Sequence, residues 1–189
     1  MTNEPLVHHR TIELTSRDGG DHLLMHGEIH DQRFRPDGEA WSMHRMLLDL
    51  EIALADTTIT SARSTMHDYP HTECPSAESS VQALEGLSIT RGFTRAARER
   101  IGGPLGCDHV SHLVSVVAPA AIQALGGLRS RRAAAGGETG PRDDGWWQRL
   151  RNTCHIWAHG GVGEQKVEIG WVPSGSYPAP PISELRQRR

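Results

Sequence analysis

The chain has three cysteines and twelve histidines, and each cysteine has a histidine close by. Cys74 follows His71 by three positions, Cys107 precedes His109 by two, and Cys154 directly precedes His155. Thiolate and imidazole are the usual ligands of a borderline-soft ion, so this pairing points to zinc or iron. No Cys-x-x-Cys pair is present, which argues against a zinc-finger module. A site would have to be assembled from distant segments, and the alternative that the thiols are small apolar packing groups stays open.

Cys107 carries an argument of its own. Gly102-Gly103-Pro104-Leu105-Gly106 must break regular structure, and an apolar-periodic helix follows at once. Cys107 therefore belongs at a helix N-terminus, where free backbone N–H groups favour a thiolate nucleophile. On regular helix His109 faces another side, so a direct Cys107–His109 pair would be strained, whereas His109 and His112 share a face. His44 lies in phase with Met46 and Leu48, on the apolar side of a strand. That placement suits either a satisfied core histidine or a ligand or base. Asp31 and Arg33 close the preceding strand and are expected across from His44, with Asp31 placed to orient an imidazole. The candidate catalytic set is thus Cys107, His109, His44 and Asp31, and the candidate metal ligands are Cys74, Cys107, His109 and His44.

The elements that must hold these residues are legible from periodicity. Residues 10–15 alternate apolar and polar, Leu23, Met25, Gly27 and Ile29 share one face of a second strand, and 41–54 and 58–66 read as a third and fourth. Asp18-Gly19-Gly20-Asp21 and Pro36-Asp37-Gly38 are turn signals between them. A short helix is expected over 76–84 and another over 93–101. A long helix follows from Cys107, with Val110, Leu113, Val114, Val117 and Ala121 facing a core. Pro119 is expected to kink or divide it. Residues 129–144 read as a mobile surface insertion, 166–172 as a last strand at a sheet edge, and 174–189 as a Pro/Arg-rich tail. The expected fold class is α+β: an antiparallel meander of four strands plus a C-terminal edge strand, packed on helices. The expected organisation is one domain over 1–173 followed by the tail.

Composition narrows the function class. With 37% hydrophobic and 23% charged residues among 189, the chain resembles a globular domain. Its formal charge of −3 provides no chain-wide basic footprint for nucleic acid. No uninterrupted run of about 18 apolar residues occurs and the N-terminus lacks a signal pattern, so the expectation is a cytoplasmic protein with reduced thiols and no membrane partner. Lysine is present once, as Lys166, so Schiff-base chemistry rests on one residue. Neither a Rossmann or P-loop fingerprint nor Gly-x-Ser-x-Gly is present, so no nucleotide cofactor is expected.

The segment Leu87 to Leu113, with Gly92-Phe93, Gly102-Gly103 and above all Gly106-Cys107-Asp108-His109-Val110, resembles a bacterial family catalogued as domain of unknown function 2889, whose motif at the last of these reads Gly-Cys-Thr-His-Leu. Met43-His44-Arg45-Met46 resembles its Ile-His-x-Met strand, Pro70 with Cys74 its Pro-x-x-x-Cys element, and Cys154-His155 its C-terminal Cys-His step. The resemblance runs over residues 10–173, with Asp108 in place of threonine and Val110 in place of leucine. It implies that His44, Cys74, Cys107, His109 and Cys154 form one recurring constellation. The expected function is a small-molecule enzyme with a Cys/His site between sheet and helices, metal-assisted, performing a hydrolase, lyase or isomerase step on a carbonyl compound. A metal-free version has Cys107 as the nucleophile. The alternative is a non-catalytic binding or accessory subunit. A homo- or hetero-oligomer is compatible with either.

Overall fold

Alternation of apolar and polar residues over the first seventy positions produces four long strands, as seen in a computed structural model that describes residues 4–90, 92–136, 145–172 and 178–187. The strands are β1 (His8–Asp18), β2 (His22–Phe34), β3 (Ala40–Ala53) and β4 (Ile59–Asp68), paired antiparallel in the order β1-β2-β3-β4. The expected meander of an α+β fold is therefore present. Its inner face is a series of cross-strand rows. Ile12, Ile29 and Met46 form one, and Leu14, Gly27 and Leu48 the next.

Helices cover this face. After the 3-10 helix Cys74–Leu84 come α1 (Phe93–Ile101) and α2 (Asp108–Ala135). Val110, Leu113, Val114, Val117 and Ala121 of α2 are buried together with Ile29, Met46, Leu48 and Ile52 of the sheet. Gly27 permits the close approach. A Cβ built there would stand 3.1 Å from Leu113 and Leu14 side-chain carbons and 3.2 Å from one of Val117. The far end of α2 is tied down where Arg132 donates to the Asp18 carboxylate at the end of β1.

Several expectations are corrected. Pro119 does not divide the long helix, which runs continuously from Asp108 to Ala135. Pro119 lies on the exposed side, while Val117, Ala118 and Ala121 are buried and hold the helix to the sheet. Residues 129–135, expected in a loop, belong to this helix, and 137–144 lie outside the described residues. Met1–Gly136 and Gly137–Arg189 form two compact units.

The expected C-terminal edge strand is absent among the described residues. Residues 166–168 lie in α3 (Val162–Glu168) of the second unit, and Gly170, at φ 81°, follows it. The Glu164 carboxylate is buried against the Arg151 guanidinium and the Gly160 N–H, an arrangement that helical backbone permits. Within the first unit the outer edge of β4 already has partners. Glu85 accepts from the Ala62 N–H at 3.1 Å and Glu78 from the Met66 N–H at 2.6 Å. Ile182–Gln187, placed in the tail, forms the short helix α4.

By length and composition α2 could cross a membrane, with a mean hydropathy of 1.4 over its most apolar window. Its apolar stripe is instead the face that packs on the sheet. Because Gly27 lies directly under α2, Gly27→Leu should destabilise the protein by about 1–3 kcal/mol through overpacking. Urea unfolding measures this, and an unchanged midpoint would contradict the close approach of helix and sheet.

Candidate functional site

Inward parity carries a polar row at one end of the sheet. Asp31 continues the phase of Leu23, Met25, Gly27 and Ile29, and its side chain is buried at 3% exposure. Arg10 is its register partner on β1 and His44 its partner on β3, so the three form one row across three strands. The expectation that Asp31 sits across from His44 is met. A carboxylate in that position needs compensation, and Arg10 supplies it. Nε donates to Oδ1 at 2.6 Å and Nη2 to Oδ2 at 2.7 Å, a two-pronged pairing. His8 adds a contact from Nε2 to Oδ1 at 3.0 Å. The Arg10 guanidinium outweighs the effect of burial and holds the Asp31 carboxyl down to about 2.

The N-terminal turn of α2 brings His109 onto this row. Its ring stacks on that of His44, with centroids 3.8 Å apart and planes 26° from parallel. Both imidazoles address the same oxygen: His109 Nε2 lies 3.3 Å and His44 Nδ1 3.6 Å from Asp31 Oδ2. Burial is the first cause that pushes the pKa of each histidine below its ordinary value. Burial thus disfavours the charged form of both rings. On the helix, His112 turns to Arg10, with Nδ1 3.2 Å from Nη1.

The strand pairing is locally irregular here. Asp31 pairs with His44 but Gln32 pairs with Ser42, so Met43 is an extra residue on β3. Such a bulge re-aims side chains and is frequent beside functional sites. Met43, His8, Arg10, Asp31, Arg33, His44 and His109 line a cavity of about 130 Å³ that is open to solvent.

The cysteines are distributed differently from the expected ligand set. Asp31, His44 and His109 form a group whose ligand atoms all lie within 4.8 Å of one another, and among the described residues no cysteine joins it. Cys107 stands behind His109, with Sγ 3.9 Å from Nδ1. This contact, expected to be strained, forms because Cys107 precedes the first helical residue and escapes helical phase. Cys74 begins the 3-10 helix and packs against the hydrophobic core. Cys154 is exposed in the second unit. All three thiols are free. The expected convergence of Cys74 and Cys107 sulfurs on one cavity is thus replaced by a carboxylate–imidazole cluster, with only Cys107 adjacent to it.

Arg10 and His8 are the residues that sequence reasoning passed over. The available signal was Arg10 in phase with Ile12 and Leu14, since an inward-facing charge on a strand demands a partner.

The architecture is an α+β unit whose polar site lies where the first helical turn of α2 meets the sheet. The chain belongs to the family described as protein of unknown function DUF2889, whose model matches residues 8–123, more than half its length. That span contains the whole Arg10–Asp31–His44–His109 cluster but ends before Cys154-His155, so the match is shorter than the 10–173 resemblance. No curated protein and no solved structure matches the chain.

The pairing with Arg10 makes a pH prediction for chelator-treated protein. Asp31 has a folded-state pKa below its ordinary 3.8, so its stabilisation is fully present above that value and is lost as pH falls toward 2. The contribution is about 2 kcal/mol. Asp31→Asn should therefore be less stable than the parent by that amount at pH 6, with the two curves converging toward pH 2. Parallel curves would show that the carboxylate is not held by Arg10.

Proposed function

We propose that the chain is a small-molecule enzyme whose Asp31, His44 and His109 hold a divalent metal, zinc or iron, and that its reaction is a hydrolase, lyase or isomerase step on a carbonyl compound. The observation that carries this reading is a spacing. A tetrahedral ion with bonds of about 2.0–2.1 Å has ligand atoms about 3.3–3.4 Å apart. His109 Nε2 and His44 Nδ1 stand 3.3 and 3.6 Å from Asp31 Oδ2. These gaps exceed the usual length of a charge-assisted hydrogen bond, and both nitrogens lie near one oxygen. Two imidazoles and one carboxylate are also the ligand types that leave coordination positions open for water or substrate.

The protein's residues have distinct parts in this reading. Arg10 fixes the Asp31 carboxylate through two hydrogen bonds and leaves Oδ2 facing the histidines. Cys107 Sγ receives the His109 Nδ1–H, so that Nε2 keeps its lone pair toward the site; histidine ligands are oriented this way by outer partners. Met43 supplies an apolar wall. A bound metal would polarise a carbonyl or lower the pKa of a water. A small-molecule partner is consistent with the size of the cavity, and a cytoplasmic location remains part of this reading.

Titration of chelator-treated protein with Zn²⁺ or Fe²⁺, the latter under anaerobic conditions, tests the proposal. One ion per chain is expected. His44→Ala, His109→Ala and Asp31→Ala should each abolish stoichiometric binding. Cys74→Ser should bind as the parent does, and Cys107→Ala should bind about 10–100-fold more weakly. No binding by the parent, or loss in Cys74→Ser equal to that in His44→Ala, would overturn the reading.

A further inference from the structure

The cavity has two arginines on its wall, and they are in different chemical situations. Arg10 is fully engaged: Nε and Nη2 donate to Asp31, and Nη1 faces His112. Arg33 lines the same cavity, is exposed, and among the described residues makes no hydrogen bond or ion pair. It is the register partner of His8 and lies two positions beyond Asp31, on the same face of β2. Two residues of strand advance about 7 Å, so the guanidinium arm starts one row from the Asp31–His44–His109 cluster.

A free guanidinium presents a planar fork of donors that matches a carboxylate. The local charges favour an anion. Asp31 and Arg10 compensate each other through two hydrogen bonds, Asp108 acts on Arg10 and His109 without lining the cavity, and Arg33 makes no ion pair among the described residues. A volume of about 130 Å³ corresponds to about four waters, room for the carboxylate and carbonyl groups of a small acid. Met43 offers an apolar surface for its carbon chain.

We infer that the site takes a short-chain carboxylic acid bearing a carbonyl group, with Arg33 as the residue that clamps its carboxylate and directs its carbonyl toward Asp31, His44 and His109. This deepens the proposed function and rests on it for the identity of the reacting cluster. The clamp itself binds anions with or without a metal. Arg33 is a specificity residue, and the metal ligands do not depend on it.

Pyruvate and its neutral isostere pyruvamide serve as probes. Each is titrated into the full chain, in one series chelator-treated and in another saturated with Zn²⁺, at fixed ionic strength. Binding is read from the imidazole resonances of His44 and His109 in isotope-labelled protein. Saturable shifts are expected with pyruvate, with pyruvamide at least tenfold weaker. Arg33→Met should weaken pyruvate binding about tenfold or more and leave Zn²⁺ affinity unchanged, and Arg33→Lys should recover part of the loss. Equal binding of pyruvate and pyruvamide, equal pyruvate binding by the parent and Arg33→Met, or no saturable pyruvate shift in either series overturns the clamp. A parent that binds pyruvate through Arg33 but takes up no Zn²⁺ keeps the clamp and removes the metal.

Discussion

A buried carboxylate on the inner face of a sheet is the constraint around which this site is arranged. Asp31 occupies a position where every residue before it on the same face of β2 is apolar or glycine. Leaving it unpaired there would cost several kcal/mol. Arg10 answers from the neighbouring strand, in register, with two hydrogen bonds. With one side of the carboxylate satisfied, Oδ2 still faces the helix side of the sheet, where His44 and His109 meet it. The row is a consequence of antiparallel register, since one slipped residue would turn Arg10 or His44 to the outer face.

The helix completes what the sheet begins. Gly27 lets Leu113 and Val117 of α2 settle beside Leu14 on the sheet, and Arg132 anchors its far end at Asp18. Between these two points the helix has little freedom to slide, and its first turn is carried over the polar row. His109 then stacks on His44. The hydrophobic part of the unit therefore positions its polar end. Cys107, just outside the helix, reaches the far nitrogen of His109 because it is free of helical phase.

Much of this was legible in the sequence. Alternation located the four strands, the apolar stripe located the core face of α2, and parity placed His44 inward and Asp31 opposite it. The grouping of Asp31, His44 and His109 without a cysteine was not legible, for physical reasons. Closeness of cysteine to histidine along the chain is not closeness in space, and Cys74 packs into the core instead. The significance of Arg10 depends on register with Asp31, which alternation within a single strand does not reveal. The extra residue Met43 carries no glycine or other bulge signal. The alternation of Val167, Ile169 and Trp171 suggests a strand, but Glu164, met by the Arg151 guanidinium, is buried on a helix that no period-2 reading shows.

The central claim is that a metal is held by one carboxylate and two imidazoles, with sulfur outside its coordination sphere. X-ray absorption at the zinc edge of the zinc-loaded protein tests this directly. The account predicts nitrogen and oxygen neighbours alone, at about 2.0–2.1 Å, with the outer-shell signature of two imidazoles. A sulfur neighbour at about 2.3 Å would contradict it and return the thiols to the metal.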